Sequence, residues 1–290
     1  MSRIAAFAAL LLALGFFGAP PAVAVEDGLP QTVHFNSAGG PELVGYLFLP
    51  ARSAARSPAI VLMHGRAGAY SSLADGEYDA AHLSKRHMFW GRFWAGRGYA
   101  ALLVDSFSAR GYPQGFPAHS YDERPDAVNE VTVRPLDAYA ALAFLRSRAD
   151  IDGHRVVLQG WSNGGSATLA TMADGAPQRA GLSSAEGFAG AIAFYPACGL
   201  HGQFEGGYRP YAAVRVFSGD DDEEVSAAHC RRLVDASRAA GGDIAITVYP
   251  GATHDFDDPG KQRQGVAANA SARSAAVARA AAFVASLFAH

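Results

Sequence analysis

The sequence predicts an α/β domain with a mostly parallel central sheet and helices on both faces. Three observations carry this expectation. Short apolar runs of strand length recur along the chain, the later ones are almost continuously apolar, and helix-like stretches lie between them. Continuous apolar runs mark strands buried on both faces, and alternation of strand with helix favours parallel pairing through crossover helices. Composition agrees: half of the 290 residues are hydrophobic and 18% are charged, enough apolar surface to offset the entropy of ordering the chain. With 24 Lys+Arg against 27 Asp+Glu, the charge balance argues against an electrostatically driven nucleic-acid binder. Two cysteines exclude a disulfide-framework miniprotein and a multi-thiolate zinc site.

Taken in order, the chain opens with a segment that reads as an export signal. Met1-Ser2-Arg3 is short and positive, Ile4 to Phe17 is almost wholly apolar, and Ala22-Val23-Ala24 supplies a small-x-small cleavage site. The run falls short of the roughly 20 residues of a spanning helix. Residues 1–24 are therefore expected to be removed, leaving 25–290 as one domain, periplasmic or secreted and without stable membrane insertion. Strands are expected at 43–48, 59–63, 99–105, 155–159, 189–195, 213–217 and 244–249. Helices are expected over Leu136 to Arg148 behind Pro135, over Gly165 to Met172, and from near Ser226 to Gly241-Gly242. In the last helix Val277, Ala280, Ala281, Val284, Leu287 and Phe288 form one stripe. Arg66 to Lys85 and Ser106 to Glu130 break the rhythm. Both follow predicted strands, where open α/β sheets bind ligands, so lid or pocket-wall roles are expected beside plain surface elaboration.

The chemistry centres on Gly160-Trp161-Ser162-Asn163-Gly164, a G-x-S-x-G pattern between a buried strand and a helix. That setting is what a nucleophile elbow requires: the turn lifts the serine out of the backbone, and the glycines leave room for it. A serine hydroxyl needs a base, and the base needs a carboxylate to orient it, in the chain order Ser, acid, His. Of the later histidines, His229 lies in a predicted helix and His290 is terminal. His201 stands in a loop, while His254 follows the last strand within Tyr249-Pro250-Gly251-Ala252-Thr253-His254 and is the expected base. The acid should end the preceding strand, where Asp220 to Glu224 are five consecutive acids. Spacing alone does not choose among Asp220, Asp221 and Asp222. Oxyanion donors are expected from the backbone N–H of Asn163 and from Arg66 or Ala67 in His64-Gly65-Arg66-Ala67-Gly68. His64 is expected to orient its loop or to pack rather than to catalyse. Cys198 and Cys230 are candidates for a disulfide in an oxidising compartment, the alternative being two buried thiols.

Together these residues resemble the dienelactone hydrolase family of α/β-hydrolases over about residues 40–290. The resemblance rests on His64 to Gly68, Asp105-Ser106-Phe107, Gly160 to Gly165, Tyr195-Pro196, Gly219 to Asp222 and Tyr249 to His254. It implies an α/β-hydrolase fold and an acid three residues after Gly219, which selects Asp222 with Asp221 in reserve. Well-known members carry cysteine as nucleophile and work in the cytoplasm, whereas this chain has Ser162 and an export-like leader. The resemblance implies cleavage of a small ester or lactone through an acyl-enzyme on Ser162, Asp222 and His254, without metal or organic cofactor. An exported peptidase or acyltransferase on the same triad, and a silent binding protein on the same fold, are the alternatives. Arg66 and Arg110 are expected either to meet a substrate carboxylate or to stand in solvent.

Overall fold

The structure is a computed structural model that describes residues 28–51, 56–179, 186–199 and 203–289. The leader reading for residues 1–24, together with His201 and His290, lies outside the described residues. Among the described residues eight strands form one sheet: β1 (Gln31–Asn36), β2 (Glu42–Phe48), β3 (Ser57–Met63), β4 (Ala100–Asp105), β5 (Ile151–Trp161), β6 (Gly190–Phe194), β7 (Val214–Gly219) and β8 (Ile244–Tyr249). Their order is β1-β2-β4-β3-β5-β6-β7-β8. The β1–β2 and β2–β4 pairs are antiparallel, and every other neighbouring pair is parallel. The mostly parallel α/β architecture expected from the sequence is what the chain adopts. All residues of β4 and β6 are buried, as their unbroken apolar runs require of strands covered on both faces.

Among the described residues six helices accompany the sheet: α1 (Lys85–Ala95), α2 (Arg134–Ser147), α3 (Asn163–Met172), α4 (Ala227–Ala239), α5 (Lys261–Gln264) and α6 (Ala267–Leu287). Leu142 and Leu145 of α2, Leu169 and Met172 of α3, and Val234 of α4 pack into the core on one face of the sheet. On the other face α1 contributes Trp90 and Trp94, while α6 contributes Ala276, Ala280 and Val284. The buried stripe of α6 is Asn269, Ala272, Ala276, Ala280, Phe283 and Val284, and Val277, Ala281 and Leu287 flank it. That stripe is rotated from the one expected, because small alanines let the helix approach the sheet along their own row.

Two elements have weak sequence signatures. β1 is an edge strand whose QTVHFN sequence alternates without a strong apolar face. α1 carries aromatic side chains around much of its circumference, which blurs helical periodicity, although Ser84 caps it by accepting from the His87 N–H. The two stretches that break the rhythm contain short 3₁₀ turns, at Ala80–His82, Ser108–Arg110, Tyr121–Glu123 and Asp126–Val128, and an isolated antiparallel bridge from Tyr70 to Leu83. Among the described residues no helix is long and apolar enough to cross a membrane.

Cys198, just beyond β6, is bonded to Cys230 in α4, with their Cα atoms 5.0 Å apart. Both cysteines belong to the packed core below the sheet. The bridge ties the β6 end to the helix that follows the acid loop, across 32 residues of sequence. Replacing both residues (Cys198→Ala with Cys230→Ala) is expected to lower unfolding free energy by about 3–4 kcal/mol, the loop-closure entropy of such a span. Denaturant unfolding of the two proteins, without reductant, measures the difference.

Candidate active site

The carboxyl ends of five parallel strands meet at one place. β3 delivers His64, Gly65 and Arg66, β5 delivers Ser162, β6 delivers Tyr195, β7 leads to Asp222, and β8 leads to His254. Ser162 is held at φ 52° and ψ −117°, a conformation that L-residues rarely adopt. The turn is possible because its neighbours lack side chains. A Cβ on Gly160 would strike the Gly164 carbonyl, and one on Gly164 would strike the carbonyls of Met63 and His64. The absent Cβ atoms let β5, α3 and the loop after β3 close on one another. Asn163 opens α3, so its N–H has no intrahelical acceptor and the positive end of the helix lies beside Ser162. Gly65 packs against the Ser162 turn: a Cβ there would lie 3.4 Å from the Trp161 carbonyl oxygen and 3.5 Å from Ser162 Cβ.

Ser162, His254 and Asp222 form a continuous hydrogen-bonded line. His254 Nε2 lies 3.0 Å from Ser162 Oγ. On the opposite edge of the ring, Nδ1 lies 2.8 and 3.0 Å from the two Asp222 carboxylate oxygens. Nδ1 therefore carries a proton donated to Asp222, and in the neutral ring Nε2 is left to accept from the serine hydroxyl. The side chains of Asp222 and His254 are each 1% exposed. Asp222 is fixed in turn by the N–H groups of Glu224 and Val225, both donating to Oδ1 at 2.9 Å. Burial disfavours imidazolium at His254, but the Asp222 hydrogen bond and the charges of Asp255, Asp222 and Glu224 prevail and raise its pKa above 6.5.

The run of five acids is divided among five tasks. Asp220 accepts from the Gly251 N–H and Asp221 stands exposed. Asp222 meets the imidazole, Glu223 accepts from the His254 N–H and pairs with Arg263, and Glu224 pairs with Arg66. Neither arginine singled out in the sequence is a solvated loop charge. Arg66 is bidentate to Glu224, and Arg110 is bidentate to Asp137, which is wholly buried. His64 is buried with Nδ1 2.8 Å from the Gly65 carbonyl, and its Nε2 accepts from the Ser106 N–H. Burial and the nearby Arg134 hold its pKa well below the usual value, so it is a neutral tie between two loops.

Several supporting residues have no local sequence signal. Arg134, fully buried, donates to Asn163 Oδ1 and to the His64 carbonyl, and Asn163 Nδ2 donates to Glu130. Burial pushes the Arg134 guanidinium down to about 10. Asp257 is also fully buried and accepts from Trp90, Trp161 and Tyr195. It thereby braces the residue before the elbow and the ring that packs 4.6 Å from His254. Arg86 lies against Asp255 at 2.7 Å. Burial alone would raise the Asp255 pKa, yet Arg86 and His254 hold it down to about 2.

Ser162 and Arg66 line two cavities. One, of about 370 Å³, is walled by Tyr70, Lys85, Arg86, His87, His254 and Asp255. The other, of about 250 Å³, is walled by Tyr121, Arg124, Asn163, Ser166, Ala197 and Glu224. Among the described residues no group of three or more His, Cys, Asp or Glu side chains is placed to hold a metal ion. The arrangement offers a serine oxygen and an oriented imidazole in a cleft flanked by two cavities.

The sequence profile of the dienelactone hydrolase family matches residues 43–290. No curated protein matches the sequence significantly. Among solved structures, a dienelactone hydrolase-like promiscuous phosphotriesterase from metagenomic libraries superposes with TM-score 0.65 at 20% identity, over 90% of this chain and 99% of that one. A propionate-bound esterase from Thermogutta terrifontis superposes with TM-score 0.58 at 19% identity, over 85% and 92%. A puromycin-hydrolysing peptidase from Mycobacterium tuberculosis gives TM-score 0.61 at 17% identity, over 89% of this chain and 40% of that one. These likenesses show a shared fold.

The elbow packing has a direct consequence for stability. Gly164→Ala places a methyl group against backbone carbonyls that have no rotamer to yield, and is expected to cost about 2–3 kcal/mol. Urea unfolding of that variant, compared with Ala167→Gly elsewhere in α3, separates the clash from a general effect on the helix.

Proposed function

The chain belongs to the dienelactone hydrolase family and is a carboxylic ester hydrolase; from that premise we propose that it cleaves a small ester or lactone through an acyl-enzyme on Ser162. The observation that carries this reading is the unbroken line from Ser162 Oγ through His254 to Asp222, at 3.0 and 2.8 Å.

In the proposed reaction, His254 Nε2 takes the hydroxyl proton as Ser162 Oγ attacks the ester carbonyl. Asp222 holds the Nδ1–H tautomer and steadies the imidazolium that forms. The N–H groups of Asn163 and Arg66 receive the oxyanion. Imidazolium then protonates the departing alcohol oxygen. Water repeats the sequence on the acyl-enzyme, with His254 again as base, to release the acid and regenerate Ser162. The neighbouring charges support this assignment of roles. Glu223, Glu224 and Asp255 each have an arginine partner, in Arg263, Arg66 and Arg86 respectively. The charge of Asp222 is left for the imidazole. Space on both sides of Ser162 suits an ester with an acyl part and an alcohol part. The Cys198–Cys230 bridge supports export to an oxidising compartment.

A fluorophosphonate probe is expected to modify Ser162 alone, and a folded protein that resists the probe would overturn the assignment. Ser162→Ala should lower ester turnover by on the order of 10⁴-fold or more with the fold unchanged. Asp222→Asn is expected to cost about 10⁴-fold in kcat by disturbing the tautomer. Asp221→Asn, at an exposed residue, should stay within about twofold of wild type, since surface changes away from such features are small. Activity requires neutral His254, whose pKa is raised. The acid limb of kcat/KM should therefore lie above pH 6.5, with activity lost as pH falls through it.

A further inference from the structure

Glu224 stands two residues beyond Asp222 on the loop after β7, and Arg66 stands on the loop after β3, 158 residues away in sequence. Their side chains meet in a two-point ion pair, Arg66 Nε to Glu224 Oε2 at 2.8 Å and Nη2 to Oε1 at 2.5 Å. Both are sheltered, at 18% and 13% side-chain exposure, so water screens the pair far less than a surface bridge. A third contact anchors the guanidinium, whose Nη1 donates to the Phe116 carbonyl at 3.2 Å. The Arg66 carbonyl accepts from the Phe116 N–H at 2.8 Å, so both ends of Arg66 are fixed to the long loop after β4. Glu224 Oε2 also lies 3.8 Å from His254 Nε2, on the edge of the ring that faces Ser162.

We propose that Arg66 and Glu224 are positioning residues for the hydrolytic reaction, their ion pair clamping the loop that presents the Arg66 N–H to the loop that presents Asp222. The inference rests on the triad reading above and adds to it a link between the oxyanion side and the acid–base side of the cleft. A planar guanidinium fork fixes both distance and angle, which a single ammonium contact does not. The donor at Arg66 is its backbone N–H, so side-chain replacement keeps the donor and releases only its placement. The pair also governs local charge. Glu224 favours imidazolium at His254, and Arg66 neutralises part of that influence. The other groups around the ring are Asp222 at Nδ1, Asp255 with Arg86, Glu223 with Arg263, and the Tyr195 ring. None of these is removed by changing the clamp.

The test is steady-state hydrolysis of p-nitrophenyl acetate across neutral pH by wild type, Arg66→Met, Glu224→Gln and the double variant. Each single variant is expected to lose about 10- to 100-fold in kcat with KM changed by less than about threefold, as a misplaced reacting group costs. The double variant should lose no more than the worse single one, because both break the same tie. The acid limb should move in opposite directions. Glu224→Gln removes a negative charge near Nε2 and shifts the limb to lower pH, whereas Arg66→Met leaves Glu224 unneutralised and shifts it higher. Arg66→Lys, which keeps the charge without the fork, should recover part of the kcat lost in Arg66→Met. Wild-type kcat in both single variants, additive losses in the double, or limbs that move the same way would overturn the clamp. Fluorophosphonate labelling of Ser162 in wild type separates the two levels: labelling with an inert clamp refutes this inference alone, whereas a folded wild type that does not label refutes the triad beneath it. Melting temperatures and the Arg66→Lys variant keep the result readable if Arg66→Met folds poorly.

Discussion

The positive φ of Ser162 is the constraint on which the rest of the site depends. An L-residue held there is under strain, and the strain persists only because surrounding contacts leave no alternative. Those contacts are unusually close. Gly160, Gly164 and Gly165 let β5, α3, the β3 loop and the end of β6 pack backbone against backbone. The Ser162 N–H is satisfied by the Phe194 carbonyl, and its carbonyl accepts from the Ser166 N–H. Strand, turn and helix are thus one unit, and every other functional group is positioned relative to it.

Beneath this unit lies a second layer of buried charge. Asp257 accepts from two indoles and a phenol, and burial pushes its pKa up. Arg134 reaches Asn163 and the His64 carbonyl, while Asp137 meets Arg110 and accepts from Ser37. Buried charges cost several kcal/mol unless their polar atoms are satisfied, so they are a poor route to stability for its own sake. What they supply is orientation: a hydrogen bond points in one direction, whereas an apolar contact tolerates sliding. The Ser162 turn rests on Asp257 through Trp161 and on Arg134 through Asn163, and the loop after β3 rests on Arg134 through the His64 carbonyl.

The acid loop shows how tertiary contact gives meaning to a run that is locally uniform. Five acids in a row would repel one another as a free segment. Here they fan out to a backbone N–H, solvent, an imidazole, a second N–H with Arg263, and Arg66. The disulfide fastens the start of the following helix, so this loop is held at both ends.

The sequence by itself determined the layer architecture, because buried parallel strands must be apolar throughout and their crossovers must be helical. It also marked the strand–turn–helix around Ser162 and the loop position of His254, since both depend on patterns a few residues long. Proximity of Cys198 and Cys230 was open until β6 and α4 were placed. The antiparallel β1, the aromatic helix α1 and the rotation of α6 were obscured where periodicity is weak or side chains are uniformly small. Which acid faces His254 was not legible from spacing: it depends on how the β7 and β8 loops pack, and only the family resemblance pointed to Asp222. Arg66 with Glu224, Arg134 with Asn163, and Asp257 with Trp90, Trp161 and Tyr195 were decided by tertiary structure alone. Their partners lie 29 to 167 residues apart in the chain. No local pattern encodes such a pairing, and only the closing of the sheet ends brings these charges together.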